Sequence, residues 1–281
     1  MPADDAPQTA HFGLDLTYAC SYRCPYCVLP PAGKPRPAAD WLQTWERMHK
    51  RYGRCYIYMS GGEPSVFPGF YDLVKALTAM HTVDLCTNLA WQVERLVPQL
   101  RPEHFKVSAT FHPTQVSFEE FLAKAVRVRD YLPQRWPPKR SVYFVADPKQ
   151  MDRMPEYQAR FEEHGLVLVP LPLMAGHDLA NDEGEKRAIA DISPNKDTPD
   201  QKLGFQLKEL TPRGRLCRAG QRYAHIRADG MVDRCTRYED RQLGDFFAPD
   251  FALWPQPRLC RQDWCPFESQ WLVREETGAP K

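Results

Sequence analysis

CSYRCPYC, residues 20–27, sets three cysteines into eight positions, three and then two residues apart. No other stretch of the chain is so crowded with sulfur. The first ten residues, MPADDAPQTA, are acidic and lack an apolar h-region, so they do not form a secretory signal. The most apolar run, LVLVPLPLMAG (166–176), has 11 residues and two prolines and is too short to span a bilayer. The expected location is cytoplasmic, where thiols stay reduced. There, nine cysteines read as metal ligands in preference to disulfides. A structural zinc site wants four ligands, and no histidine follows at a suitable distance. Three thiolates at C-x3-C-x2-C suit three corners of a cubane iron–sulfur cluster, because a tight loop can wrap three irons. The fourth iron then stays open to a substrate or cofactor.

Outward from this loop the pattern alternates. FGLDLTY (12–18) reads as a strand. AADWLQTWERMHKRY (38–52) reads as a helix with Trp41, Trp45 and Met48 on one face. CYIYMS (55–60) is a strand ending at Gly61-Gly62, and GFYDLVKALTAM (69–80) a helix with Phe70, Val74 and Leu77 at helical spacing. TVDLCTN, HFKVSATF, SVYFVA and LVLVP read as further strands, and QVERLVPQL and MPEYQARFEEHG as helices, the latter closed by Gly165. Between them a helix opens at Ser117, where Glu120 completes a capping-box signature, with Phe118, Leu122, Ala125 and Val128 as its core face. Six strands alternating with five helices predict an α/β fold of parallel strands joined by right-handed crossovers. A partial, open barrel and a doubly wound sheet both satisfy this pattern.

Residues 171–212 lose the rhythm and read as a polar connector or lid. Beyond them, HIRADGMVDRC (225–235) alternates on both sides of Asp229-Gly230, a hairpin signal. The expected organisation is an N-terminal tail (1–11), a barrel (12–170), a connector or lid (171–212) and a small cysteine-rich unit (213–281). Apolar residues make up 43% and charged residues 26%, with a net charge of +1. That balance supplies a core and argues against a nucleic-acid groove or a basic membrane face.

The motif CSYRCPYC directly after a first strand, with Tyr26 before the last cysteine, resembles the radical SAM superfamily. SGGEP (60–64), at the end of the second strand, reinforces the likeness. The resemblance implies a partial (β/α)6 TIM-type barrel with both motifs at C-terminal strand ends. It implies that Cys20, Cys24 and Cys27 hold a [4Fe–4S] cluster and that S-adenosylmethionine binds the open iron. Gly61, Gly62, Glu63 and Pro64 would meet the methionine ammonium, Tyr26 would lie near the adenine, and Thr110, with Ser108 second, would touch the SAM carboxylate or ribose. Reductive cleavage would give a 5′-deoxyadenosyl radical that abstracts hydrogen from a substrate C–H bond. A flavodoxin or ferredoxin is the implied reductant.

Cys217, Cys235, Cys260 and Cys265, with CRAG and LGDFF, resemble the SPASM and shorter twitch extensions of that superfamily, pictured as a hairpin plus a helix. Four cysteines suffice for one auxiliary [4Fe–4S] cluster; a zinc ribbon that staples the unit is the alternative. Cys55 and Cys86 read as small buried hydrophobes. An auxiliary cluster suits a substrate radical that must lose an electron. The favoured expectation is dehydrogenation of a small polar or sugar-like metabolite, an oxidoreductase. Peptide modification or crosslinking is the alternative, and a non-catalytic iron–sulfur electron-transfer or regulatory protein a third. Candidate substrate residues at strand ends are His112, Tyr143, His177 and Asp178, with His112 the candidate proton acceptor.

Overall fold

The computed structural model describes residues 9–132, 141–175, 178–193, 201–236 and 242–265. Strands and helices alternate: β1 (His11–Thr17), α1 (Ala38–Tyr52), β2 (Tyr56–Gly61), α2 (Phe70–Met80), β3 (Thr82–Thr87), α3 (Val93–Leu96), β4 (Phe105–Phe111), α4 (Phe118–Tyr131), β5 (Ser141–Ala146), α5 (Met154–Glu162) and β6 (Val167–Pro172). β1 to β6 lie side by side in chain order, and every neighbouring pair is parallel. That order is a partial barrel; a doubly wound sheet would reverse at a switch point.

The helices lie on one face of this sheet because their apolar stripes need burial. α1 buries Trp41, Trp45 and Met48, and α2 buries Phe70, Leu73, Val74 and Leu77. Ser117 caps α4 by accepting from the Glu120 N–H. On α4, Phe121 is buried and Leu122 only partly so, which shifts the expected stripe by one residue. Alternate strand residues face these helices: Phe12, Leu14 and Leu16 from β1, Ile57 and Met59 from β2, Val107 and Phe111 from β4, all buried. The intervening residues form the opposite, concave face: His11, Gly13, Asp15 and Thr17, then Tyr58 and Ser60, Asp84 and Cys86, Ser108 and Thr110, and Tyr143. Parallel sheets usually carry apolar residues on both faces. A polar inner wall therefore marks a chamber and not a second core.

The connector is more ordered than its composition suggests. It holds β7 (Met174–Ala175), β8 (Asp178–Leu179), α6 (Glu183–Ile192) and α7 (Gln201–Gln206). α6 opens with a full capping box, Asp182 and Glu185 each satisfying the other's backbone N–H. Asn181, buried in front of it, donates to the Ala146 carbonyl at 2.9 Å and accepts from the Leu173 N–H at 2.6 Å.

The C-terminal segment contributes β9 (Leu216–Cys217), β10 (Tyr223–Ile226), β11 (Met231–Asp233), β12 (Gln242–Asp245) and β13 (Arg258–Leu259). No helix occurs among the described residues from 213 onward. The expected hairpin exists, with β10 and β11 antiparallel. It joins the barrel: β10 pairs in parallel with β1, from His11↔Tyr223 to Leu14↔Ile226. One nine-stranded sheet results, in the order β12-β11-β10-β1-β2-β3-β4-β5-β6. Phe246, just after β12, packs against Trp41, Trp45 and Phe12.

Candidate active site

The cysteine loop leaves the C-terminal end of β1 and is clasped from two sides. From β2, the Gly62 N–H donates to the Thr17 carbonyl at 2.7 Å and the Glu63 N–H to the Ala19 carbonyl at 2.9 Å. Only glycine permits this approach. Gly61 has φ +110°, and a Cβ on Gly62 would lie 2.2 Å from the Ala19 oxygen. From beyond β4, Gln115 accepts from the Arg23 N–H at 2.8 Å, and His112 Nδ1 meets the Tyr26 hydroxyl at 2.9 Å with the two rings stacked. Within the loop, the Cys27 N–H donates to the Cys24 carbonyl.

Burial raises the Cys20 thiol and pushes Cys24 up to about 11, and the neighbouring sulfurs add to both shifts. Thiols held up in this way at Cys20 and Cys24 need cations to become thiolates, and bound iron would supply them. The donor set therefore fits a cluster. Among the described residues no three His, Cys, Asp or Glu side chains converge on a single metal ion. A cubane distributes its thiolates over separate irons, so its ligands need not share one coordination sphere.

Several of the expected site residues have partners within the fold. Glu63 does not face open space. Its carboxylate is fully buried and accepts from the Ser65 N–H, the Asn88 N–H at 2.8 Å and the Thr87 hydroxyl at 2.9 Å. It ties the ends of β2 and β3 together. Pro64 is buried at the start of a short 3₁₀ turn. The Ser108 hydroxyl donates to Asp84 at 2.8 Å, which commits it to the sheet interior. Thr110 sits one step nearer the strand ends, paired in register with Tyr143. Tyr26 holds the Nδ1 of His112, and burial lowers the His112 pKa to about 4. The Tyr26 hydroxyl also meets the side chains of Cys24 and Thr114. Asp178 lies in β8, paired with Ala175, and His177 lies outside the described residues. Cys55 is buried as expected, whereas Cys86 is half-buried on the concave face.

Three of the four C-terminal cysteines gather. Cys217, Cys235 and Cys260 pack around Ala219 and Tyr223. Arg234 holds the strands beneath them, donating to the carbonyls of Ala219, Leu259 and Arg258 at 2.8–3.1 Å. Cys265 follows Trp264, whose indole N–H donates to the Gln206 carbonyl at 2.9 Å.

Sequence reasoning passed over Asp15. This carboxylate accepts from the Ser60 hydroxyl at 3.1 Å and from His225 Nε2 at 3.0 Å. The available signal was one acid inside the apolar strand FGLDLTY. Its partner His225, 210 residues away, gave none.

Residues 14–136 match the family model of the Radical SAM superfamily. The match takes in both the cysteine loop and the Gly61-Gly62 turn, and the cofactors that it implies are a [4Fe–4S] cluster and S-adenosylmethionine. Among curated relatives, the chain is 35% identical over 101 residues to molybdenum cofactor biosynthesis protein 1 of Bos taurus, 33% of this chain and 16% of that protein. It is 40% identical over 80 residues to the PqqA peptide cyclase of Ruegeria pomeroyi, 27% of this chain and 20% of that protein. These matches span a fifth or less of the relatives' own length. The fold resembles SuiB of Streptococcus suis bound to S-adenosylmethionine, with TM-score 0.63 and 14% identity over 85% of this chain and 64% of that one. Among the described residues no helix is long and apolar enough to cross a membrane.

Proposed function

We propose that this protein is a radical SAM enzyme that modifies a peptide. The observation that carries the radical SAM part is the three-cysteine loop clasped by the Gly61-Gly62 turn above a polar chamber. The cluster and SAM, when bound, supply a carbon radical able to abstract hydrogen from a substrate. Cys20, Cys24 and Cys27 hold the iron. His112, Gln115 and the Gly62 and Glu63 amides fix the loop's pose, and the chamber wall orients the substrate and excludes water.

The peptide substrate is supported by the relatives: one is a PqqA peptide cyclase, and SuiB is also known bound to its precursor peptide SuiA. None of the relatives named supports oxidation of a sugar-like metabolite. Cys217, Cys235, Cys260 and Cys265 would hold one auxiliary [4Fe–4S] cluster, which would supply a one-electron acceptor, and the reductant would be a flavodoxin- or ferredoxin-type protein.

Iron and sulfide per chain after anaerobic reconstitution test the assignment of ligands. The Cys20→Ala/Cys24→Ala/Cys27→Ala variant is expected to fall from about eight irons to about four and to lose dithionite-driven 5′-deoxyadenosine formation. About four irons in the native protein, with zinc retained in the variant, would make the C-terminal cysteines a staple. The substrate class is tested by the rate of SAM cleavage in the presence of peptide or polyol pools. Acceleration by polyols alone would overturn the peptide reading.

A further inference from the structure

The stretches 213–222 and 254–263 hold six arginines, Arg213, Arg215, Arg218, Arg222, Arg258 and Arg261, and one acid, Asp263. The whole chain has a net charge of only +1. The fold brings the two stretches together. β9 and β13 pair antiparallel, Arg258 against Cys217 and Leu259 against Leu216. The ribbon runs on through the Cys260 N–H, which donates to the Arg215 carbonyl at 2.8 Å. Positive charge is therefore concentrated on one small ribbon, and the acid within it is taken up by Arg213.

Two of these arginines are held ready for a carboxylate. Arg258 lies 3.7 Å over the Trp254 ring and Arg215 5.3 Å over the Phe205 ring. Neither has a carboxylate partner among the described residues. Stacking holds a guanidinium by its face and leaves the N–H fork at its edge for an acid. Arg258 is exposed and Arg215 half-buried. Arg234, beneath the cysteines, is different: it is buried and spends its donors on the carbonyls of Ala219, Leu259 and Arg258. Leu259, next to Arg258, is 60% exposed, the highest value among the large apolar side chains described. Leu216, opposite it, is half-buried. An apolar centre with arginines around it is the make-up of a protein-binding surface. A phosphate backbone would satisfy the arginines and leave the leucine with nothing to cover it.

We propose that the β9–β13 ribbon docks an acidic segment of the substrate peptide, away from the residue that reacts, with carboxylates on Arg258 and Arg215 and an apolar side chain on Leu259. β13 is one of only two strands in its sheet, so a segment lying along it meets residues from both faces. The docking rests on the substrate being a peptide. It separates recognition from chemistry. A remote segment that binds here raises the local concentration of the reacting residue at the chamber and places no demand on what that residue is.

The test is fluorescence anisotropy on the reconstituted full chain. The probe is a labelled, capped pentapeptide with a leucine between two pairs of glutamates, and its glutamine counterpart is the neutral control. The acidic probe is expected to bind about tenfold tighter than the control, and added salt is expected to weaken it. Arg258→Glu is expected to weaken the acidic probe about tenfold through repulsion, and Leu259→Ser to weaken it less while keeping the salt dependence. Both residues are exposed, and unchanged iron content and thermal midpoint show that each variant is folded. Equal binding of the two probes, or acidic binding unaffected by Arg258→Glu, overturns the docking surface. Tighter binding of a short thymidine oligonucleotide through Arg258 overturns it in favour of a phosphate surface. Binding of a flavodoxin-type protein through Arg258, with none of the acidic probe, overturns it in favour of an electron carrier. Acidic-probe binding through Arg258 in a protein whose SAM cleavage no peptide accelerates would leave the surface standing and sink the peptide reading.

Discussion

Glu63 is a carboxylate without solvent, satisfied by two backbone N–H groups and the Thr87 hydroxyl. Glu63→Gln keeps the shape but replaces one acceptor oxygen with a donor, which then faces a backbone N–H. The expected cost is about 1–3 kcal/mol, read as a fall of several degrees in thermal midpoint. An unchanged midpoint would mean that those contacts do not form in solution. Asp15 permits a pH argument. The His225 pKa is raised above its ordinary value by Asp15 and by Asp233, against burial and Arg227. Stability from the pair is therefore full below about pH 6.5 and is lost as pH climbs through the raised value. The stability gap between native protein and Asp15→Asn, measured by urea unfolding across pH, should narrow as pH rises. A gap that widens would contradict the assigned ion pair. The cysteine loop was legible in the sequence because three thiols in eight positions are a local signal. Asp15–His225 was not, because neither residue is unusual until a strand pairing brings them together.

At the level of elements, the Gly61-Gly62 turn acts on the cysteine loop and not only on whatever binds above it. Gly62→Ala places a methyl 2.2 Å from the Ala19 carbonyl oxygen. The loop must move to admit it. Iron bound at the N-terminal site should drop while the C-terminal site keeps its own, which metal analysis combined with the C-terminal cysteine variants resolves. Equal retention at both sites would mean that the turn does not hold the loop. Most elements were readable because the 3.6-residue and two-residue periods are strong in the barrel. α6 escaped although its capping residues, Asp182 and Glu185, stand in plain view. Only Ile189 is buried along that helix, so no apolar stripe marked it. Tyr26 and His112 illustrate a related limit: each read as a candidate for the ligand, and their packing turns them toward each other.

At the scale of the molecule, the C-terminal segment is fastened to the barrel twice, through β10 on β1 and through Phe246 on α1. Arg47 donates to the carbonyls of Phe246 and Ala248, and Arg51 to that of Phe251. Phe246 is completely buried, and Phe246→Ala should cost about 3–5 kcal/mol. If barrel and C-terminal segment form one cooperative unit, a single unfolding transition moves as a whole. Two separated transitions, only one of them shifted, would show that the segments unfold apart. The sequence reading expected a small cysteine-rich unit over 213–281, and the pairing of β10 with β1 was not legible in it, because the hairpin signal is local and nothing in it announces a parallel partner so far away in sequence.

That seam also imposes an order in time. β1 is made some 210 residues before the strand that covers its outer edge. At ordinary elongation rates the interval is about 10–40 s. Throughout it, β1 offers an unpaired edge, and the cysteine loop at its tip lacks the C-terminal strands beside it. The nascent chain therefore needs protection from association just when its thiols are most open to iron delivery. Slowing synthesis near the C-terminus would lengthen both the opportunity and the hazard.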